Sequence, residues 1–234
     1  MLTAVRRLRA HMPTRRAPAA LARAAAIAVF GLLFLQEGVA ADSGGTLTRV
    51  RVETNLGNFT IVVDSGRSPL TAANFLSYVR SNYYSGTIFH RVISGFVVQG
   101  GGFDTRGVAK TTQANIANES GNGLANKRSM VGLARSDAPH SGNAQFYVNV
   151  TDNDELDPTP LRWGYAVFGR VVEGMEVIDK ISRTPTGSVG SFGKDAPLQQ
   201  VVITRALIVD GNGTPIPQET PPAPAVDSPA PAKP

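Results

Sequence analysis

The sequence contains no cysteine, and its only three histidines are His11, His90 and His140. Without cysteine there can be no disulfide, no thiol nucleophile and no zinc site with cysteine ligands. So few histidines also disfavour a histidine-rich metal cluster, and no carboxylates are paired at a spacing that suits a nuclease or a metal-dependent hydrolase. We therefore expect no metal and no other cofactor.

The chain has little net positive charge beyond its N-terminus, although the formal charge of the whole chain is +5. Six of the 23 basic residues and one of the 18 acidic residues precede residue 41, which leaves 17 of each sign in the remainder. A chain with balanced charge lacks the electrostatic attraction to phosphates that nucleic-acid binding requires. The sequence therefore predicts no nucleic-acid partner.

The first 41 residues have the composition of an export signal. Several arginines precede an apolar run from Ala24 to Leu35, and Gly38-Val39-Ala40 follows just before Ala41. The run is short for a membrane span, and small residues before the cut suit signal peptidase. We expect residues 1–41 to be a signal peptide and the mature protein to be periplasmic or otherwise exported. The alternative is an uncleaved N-terminal anchor in the inner membrane, with the protein facing the periplasm.

The other end of the chain is rich in proline. The last 24 residues contain eight of the 16 prolines and few large apolar residues. Such a segment cannot bury enough apolar surface to fold and favours polyproline II conformations. We predict a disordered tail over residues 211–234, with a proline-rich docking segment as the alternative. One globular domain, residues 46–210, remains between the two ends.

The most informative stretch is GTIFHRVISGFVVQGGGF, residues 86–103. Two apolar runs separated by Ser-Gly predict a tight β-hairpin. Alternation places Phe89 and Arg91 on one face of its first strand. An arginine at mid-strand is either an edge charge that discourages aggregation or a functional group. Gln99 and Gly100-Gly101-Gly102 on the second strand favour a functional group, because missing side chains let a ligand or another backbone approach closely.

Hydrophobic periodicity predicts the remaining elements. Strands are expected at residues 48–54, 59–64, 129–134, 146–150, 166–172 and 200–209, and helices at 69–82 and 174–182. Ser68 is the predicted N-cap of the first helix. In QFYVNV, alternation directs Phe146, Val148 and Val150 into the core and Gln145, Tyr147 and Asn149 away from it. The polar segment 105–126 is expected to be a long surface loop. Strands that follow one another without regular βαβ alternation favour a mainly β protein with a closed antiparallel barrel.

Four segments of the chain resemble the cyclophilins, the barrel-shaped peptidyl-prolyl cis-trans isomerases. They are FHRVISGFVVQGGGF, NESGNGLANKRSMVGLAR, NAQFYVNV and ELDPTPLRWGYAVFGRVVEGMEVIDKI, in the order and approximate spacing of that family. The similarity covers residues 48–209 and is strongest to the exported bacterial branch. It implies an eight-stranded barrel capped by two α-helices, with the proline groove on the outside because side chains fill the lumen.

The resemblance also implies site residues. Arg91 falls on the family's catalytic arginine, and Gln99 lies beside it in the catalytic group. The implied substrate-binding residues are Phe96, Val97, Ala134, Arg135, Gln145, Tyr147, Leu156 and Tyr165. At Ala134 or Arg135 the backbone is expected to hold the substrate chain. Three positions depart from the common family pattern: Val97 replaces methionine, Tyr147 replaces phenylalanine, and Glu155 stands where many members have tryptophan.

The function implied is acceleration of X-Pro bond rotation in folding or unfolded exported proteins, without a cofactor and as a monomer. The partners are proline-containing polypeptides, and the membrane is involved only if the leader stays uncleaved. The alternative is a chaperone that binds proline-containing segments with little catalysis. Loss of the arginine or of the glycine run would have favoured that alternative, and both are present.

Overall fold

The computed structural model describes residues 46–217. The strands are β1 (Leu47–Thr54), β2 (Gly57–Asp64), β3 (Thr87–Ile93), β4 (Val97–Asp104), β5 (Met130–Leu133), β6 (Phe146–Asn149), β7 (Val167–Glu173), β8 (Thr186–Val189), β9 (Phe192–Pro197) and β10 (Val201–Val209). The helices are α1 (Pro69–Arg80) and α2 (Met175–Ser182), and a single 3₁₀ turn spans Asp154–Leu156. Within the described range, no helix is long and apolar enough to cross a membrane. The predicted export signal lies outside the described residues.

The predicted fold class is confirmed. Eight strands close a barrel in the order β1-β10-β3-β4-β6-β5-β7-β2, and all neighbouring pairs are antiparallel. Alternate side chains point inward, and on β1 and β2 the paired residues Val50 with Ile61 and Val52 with Phe59 are all buried. The same core contains Phe146 from β6, as alternation predicted. Because side chains fill the lumen, a binding site has to form on the outer surface.

Helix α1 begins as predicted at Pro69, but its N-terminus is capped from elsewhere. Ser68 is the N-cap residue, as predicted, but its side chain donates to the carbonyl of Val167 at 2.7 Å and makes no capping hydrogen bond. The carboxylate of Glu119 instead accepts hydrogen bonds from the N–H groups of Leu70 and Thr71, at 3.0 and 2.7 Å. A negative charge at this position also stabilises the helix, because the N-terminus is the positive end of the helix dipole. The long loop 105–126 is therefore anchored to the helix.

The predicted faces of β3 need a correction. Phe89 lies in the barrel core together with Val92, whereas Arg91 is only half-buried and faces the outside. The pairing of β3 with β4 shifts register twice, between Thr87 and Phe89 and again between Phe89 and Arg91. A bulge inserts an unpaired residue and so breaks the period of two on which face assignment depends. Simple alternation therefore fails on the one strand that carries the arginine.

Strands β8 and β9 form a separate two-stranded sheet that we did not predict from the sequence. This hairpin packs on the outer side of β3, where the ring of Phe192 meets His90 at 5.6 Å and Phe103 at 5.0 Å between centroids. The hairpin sequence is rich in glycine and polar residues, so it lacks the apolar alternation that identifies a strand. Its position leaves His90 buried.

Hydrogen-bonded structure extends past residue 210. A turn at Asp210–Gly213 brings Pro215 beside Val209, and the N–H of Ile216 donates to the carbonyl of Ile208 at 3.0 Å. The guanidinium of Arg51 also donates to the carbonyl of Gly213 at 2.8 Å. Residues 211–217, which we assigned to a disordered tail, therefore fold back on β10. The rest of the predicted tail lies outside the described residues.

Candidate active site

An open groove of about 470 Å³ lies on the outer surface of the barrel. It is lined by nine of the ten residues that the sequence analysis named: Arg91, Phe96, Val97, Gln99, Ala134, Arg135, Tyr147, Leu156 and Tyr165. The tenth, Gln145, lies behind the groove and contacts Gln99. A larger cleft of about 1010 Å³ lies between Thr46–Arg49 and Ile208–Pro217. Both ends of the described chain form its walls.

The floor of the groove is one row of residues across four strands. The pairing places Arg91 of β3 beside Gln99 of β4, Gln99 beside Tyr147 of β6, and Tyr147 beside Gly132 of β5. Neighbouring strands lie about 4.8 Å apart, so the row spans roughly 15 Å. A charged donor, an amide and an aromatic ring are thus placed in sequence along one line by backbone hydrogen bonds alone.

The apolar part of the groove is a small cluster separate from the barrel core. Its buried members are Val97, Ala134 and Tyr147. The half-buried residues Phe96, Leu156 and Tyr165 pack around them and remain partly open to solvent. The rings of Tyr147 and Tyr165 meet edge to face, with centroids 6.0 Å apart. This slot can accept a compact apolar group such as a proline ring.

The hydroxyl of Tyr147 is directed away from the groove. It donates to Oδ1 of Asn126 at 2.6 Å in a buried site, and burial raises the pKa of the phenol well above its ordinary value. The phenol therefore stays protonated, and the groove is lined by the ring alone. A Cβ on Gly132 would lie 2.2 Å from the end of the ring, so this ring position requires a glycine on the neighbouring strand. The replacement of phenylalanine by tyrosine thus adds an anchor behind the groove.

Asn126 was missed by the sequence analysis, which placed it in a surface loop. It is fully buried, and its N–H and side-chain Nδ2 both donate to Oδ1 of Asp157 at 2.8 Å. The N–H of Asn153 donates to its carbonyl at 2.8 Å. Asn126 therefore fixes the turn that carries Leu156 as well as the ring of Tyr147. The only sequence signal was that a buried tyrosine hydroxyl needs an acceptor, and nothing local identifies which residue supplies it.

The polar side of the groove is a chain of three side chains. Nη1 of Arg91 donates to Oε1 of Gln99 at 3.1 Å, and Nε2 of Gln99 donates to Oε1 of Gln145 at 3.0 Å. Among residues 46–217, Arg91 forms no ion pair, so no carboxylate neutralises its charge. The guanidinium is thus oriented by a neutral amide, and its remaining donors are directed at no acid.

The glycine run serves this side of the groove in an unexpected way. A Cβ on Gly102 would lie 2.5 Å from Cγ of Gln145, and a Cβ on Gly100 would lie 2.7 Å from the ring of Phe89. Gly101 has φ +84° and lies against the ring of Tyr84. We expected the missing side chains to admit a ligand or another backbone. At Gly100 the backbone of β3 does approach closely, since a Cβ there would also lie 2.9 Å from the carbonyl oxygen of Ile88. At Gly101 and Gly102 the space is taken by side chains of the protein itself, one of which is Gln145.

The far wall is formed by Arg135 and Tyr165. The guanidinium carbon of Arg135 lies 4.4 Å from the ring centroid of Tyr165, a distance suited to a cation–π interaction. At the adjacent backbone, the N–H of Ala134 already donates to the carbonyl of Gln145 at 2.9 Å. The carbonyl of Ala134 and the N–H of Arg135 are therefore the groups that could hold an extended peptide there.

His90 precedes Arg91 in the chain and lies behind it, under the β8–β9 hairpin. Its ring meets that of Phe103 at 4.6 Å, and its Nδ1 is buried without a hydrogen-bond partner. Burial, with a smaller contribution from the charge of Arg91, lowers the pKa of His90 to about 4. The imidazole is therefore neutral at pH 7 and adds no second positive charge beside Arg91.

Comparison with known proteins identifies the family and the fold. The family model for "Cyclophilin type peptidyl-prolyl cis-trans isomerase/CLD" matches residues 49–208. A peptidyl-prolyl cis-trans isomerase of Acinetobacter baylyi is 47% identical over 161 residues, which cover 69% of this chain and 85% of that protein. Peptidyl-prolyl cis-trans isomerase B of Escherichia coli is 46% identical over 162 residues, 68% of this chain and 98% of that protein. A crystal structure of a Cryptosporidium parvum cyclophilin type peptidyl-prolyl cis-trans isomerase shares the fold, with a TM-score of 0.59 at 24% identity, and covers 70% of this chain and 99% of its own.

Proposed function

Because the chain belongs to the cyclophilin-type peptidyl-prolyl cis-trans isomerases and is an isomerase of that class, we propose that Arg91, Gln99 and the apolar slot together accelerate rotation about the X-Pro bond of a bound peptide. The observation that carries the proposal is the adjacency of the Arg91–Gln99–Gln145 chain to the slot of Val97, Ala134 and Tyr147. One side binds the proline ring, and the other presents a positive donor to the bond that turns.

The energetic demand on the site is moderate. Rotation about an X-Pro bond has a barrier of roughly 20 kcal/mol and takes tens of seconds or longer without a catalyst. Turnover in milliseconds requires an acceleration of about 10⁴ to 10⁵, which corresponds to roughly 5 to 7 kcal/mol of transition-state stabilisation. No covalent bond is broken, so binding and electrostatics can supply all of it.

Arg91 acts on the prolyl nitrogen. As the amide twists, the nitrogen lone pair leaves conjugation with the carbonyl and becomes a hydrogen-bond acceptor. The guanidinium donates to it, and this interaction exists only in the twisted state, which is the condition for raising kcat. Gln99 accepts a hydrogen bond from Nη1 of Arg91 and so orients the planar guanidinium, and Gln145 accepts a hydrogen bond from Gln99. Arginine suits this role because it stays charged and its donors have a fixed geometry.

The apolar slot holds the ring while the preceding residue turns. Phe96, Val97, Leu156 and the ring of Tyr147 surround the proline, and Tyr165 closes the far side. The Ala134 carbonyl and the Arg135 N–H bind the peptide backbone next to the proline. With the ring and one flank held, rotation is confined to the X-Pro bond. Confinement and the Arg91 hydrogen bond are separate contributions to the same barrier.

The test is exchange between cis and trans forms of a capped four-residue peptide with a central Ala-Pro bond, measured by NMR with and without the full chain. We expect catalytic amounts of protein to accelerate exchange at least a thousandfold over the tens-of-seconds background. Line broadening from binding without faster exchange would instead support a proline-binding chaperone with little catalysis.

We also propose that the clients are exported proteins and that the enzyme acts outside the cytoplasm as a monomer. The support for export is the pattern of residues 1–41, in which arginines, an apolar run and small residues precede Ala41. The support for a monomer is the resemblance to the cyclophilins. Cell fractionation with N-terminal sequencing tests the first proposal, and light scattering of purified protein tests the second. Intact Met1 in a soluble cytoplasmic fraction would contradict export.

A further inference from the structure

The loop 157–164, between the 3₁₀ turn and β7, exposes two large apolar side chains. Leu161 is 98% exposed and Trp163 is 46% exposed. The other exposed large apolar side chains of the described residues are Leu47, Leu70, Val108, Leu198 and Ile216. A single exposed leucine is ordinary on a protein surface. A leucine and a tryptophan close together on one loop form a patch, and such patches mark interaction sites.

The hydrogen bonds that hold this loop involve neither the Leu161 nor the Trp163 side chain. The N–H of Thr159 donates to the carbonyl of Arg162 at 2.9 Å, and the reverse bond is 3.2 Å. Nη2 of Arg162 donates to the carbonyls of Glu155 and Asp157, at 2.6 and 2.8 Å. Pro158 and Pro160 further restrict the backbone within the same turn. The exposed position of Leu161 is therefore built in, and its side chain contributes nothing to holding the loop.

The loop is also joined to the wall of the groove. Arg135, which lies on the ring of Tyr165, donates from Nη2 to the carbonyl of Trp163 at 2.9 Å and from Nε to that of Gly164 at 3.2 Å. The Trp163 ring meets His140 edge on, with centroids 5.1 Å apart. The guanidinium of Arg135, which lines the groove, thus connects the exposed loop directly to the site.

A cleft beside the patch offers room for a side chain. Its volume is about 390 Å³, and it is lined by Ser120, Pro158, Thr159, Pro160, Leu161, Arg162 and Trp163. Most of that lining is apolar or carries no charge. The cleft begins about two residues, or roughly 7 Å of extended chain, from Tyr165 in the groove. Because Trp163 lines the cleft and Tyr165 lines the groove, a peptide that left the groove along this wall would meet the cleft next.

We propose that Leu161 and Trp163 form an exosite that binds an apolar side chain of the client, two to four residues from the proline held at Arg91. The proposal rests on the isomerase function given above and adds a preference to it: extended, unfolded segments with a leucine or aromatic residue near the proline bind more tightly. The exosite acts on binding rather than on rotation, because it contacts neither the prolyl ring nor the turning bond.

The test compares capped peptides on the full chain. The first is the four-residue Ala-Pro peptide, which is too short to reach the loop. Two longer peptides carry leucine three residues before or three residues after the proline, and each has a matched version with serine at that position. kcat and KM are measured for the wild type, Leu161→Ser and Trp163→Ala. Leu198→Ser is the matched control, because Leu198 is 57% exposed and lies on the separate β8–β9 side of the barrel.

We expect wild-type KM to be lower for one leucine peptide than for its serine partner. Leu161→Ser and Trp163→Ala should each raise that KM about fivefold to tenfold, leave kcat unchanged and leave the short peptide unaffected. Leu198→Ser should change nothing. If, for each leucine peptide, the wild type and both loop variants have the same KM, the exosite is overturned. It is also overturned if the variants lose as much activity on the short peptide as on the leucine peptides, because the loop would then only shape the groove. Failure of the wild type on the short peptide would contradict the isomerase mechanism itself.

Discussion

Replacing Arg91 tests the electrostatic half of the mechanism. A hydrogen bond from a charged donor contributes about 1.5 to 3 kcal/mol, and a preorganised donor that meets charge developing in a transition state contributes about 2.7 to 4 kcal/mol. Arg91 is half-buried, carries no ion pair among residues 46–217 and is oriented by Gln99, so we place it near the upper range. Arg91→Ala should therefore lose about 10² to 10³-fold in kcat/KM, or roughly 3 to 4 kcal/mol.

Arg91→Lys separates charge from geometry. Lysine keeps the positive charge but presents a mobile, strongly hydrated ammonium in place of a planar fork. It cannot bond Gln99 and the prolyl nitrogen with the same fixed orientation, so we expect it to recover less than tenfold of the lost activity. Full recovery by lysine would show that charge alone is sufficient and that the Gln99 bond has no positioning role.

The assay must distinguish lost chemistry from lost structure. Arg91 makes one hydrogen bond to a side chain, so its removal should cost the fold about 1 kcal/mol or less and shift Tm by only about 2 to 4 °C. Arg170→Ala is the matched control, because Arg170 is an exposed arginine on strand β7 that does not line the groove. If Arg91→Ala retains near-full activity at an unchanged Tm, the groove acts by confinement alone and the electrostatic mechanism is wrong.

Three further predictions concern the supports of the site. Tyr147→Phe should keep wild-type turnover but lose about 1 to 2 kcal/mol of unfolding free energy in urea, because Oδ1 of Asn126 loses its 2.6 Å donor; lost turnover at unchanged stability would place the hydroxyl in the groove. Gly102→Ala should lower kcat about tenfold by displacing Gln145, whereas Gly193→Ala, with open space around it, should be neutral; full activity of Gly102→Ala would remove Gln145 from the mechanism. In the wild type, His90 should cause the fold to lose about 3 kcal/mol of stability between pH 7 and pH 4. The pKa of His90 is about 4 in the folded state and about 6.5 in the unfolded state, so only the unfolded state takes up the proton in that range. Urea titrations at several pH values should show this decrease missing from His90→Gln, and equal pH slopes for the two proteins would refute the buried neutral imidazole.

Much of the site was predictable because its residues lie on short motifs with strong local patterns. FHRV, F-x-x-QGG and QFYV each place a functional residue beside apolar neighbours, and the structure brings nine of the ten named residues to one groove. The errors fall where the local sequence pattern does not carry the structural information. Phe89 was given the wrong face because two register shifts break alternation on β3. Ser68 is the N-cap residue as predicted, but Glu119, about 50 residues away in sequence, accepts the hydrogen bonds of the first turn. The β8–β9 hairpin was missed because its strands lack an apolar face.

The amino-acid sequence by itself determined the class of barrel, the strand that carries Arg91 and the residue types that line the slot, because periodicity and motif order are local properties of the chain. The tertiary structure alone decided how those residues cooperate. Gln145 reaches Gln99 only because Gly102 leaves space on a neighbouring strand. The ring of Tyr147 fits against β5 because its partner there is Gly132, and its hydroxyl finds an acceptor because a loop about 20 residues earlier brings Asn126 behind the groove. Such contacts depend on strand register and on which loops close over the barrel, and both are set by the minimum free energy of the whole fold rather than by any one segment.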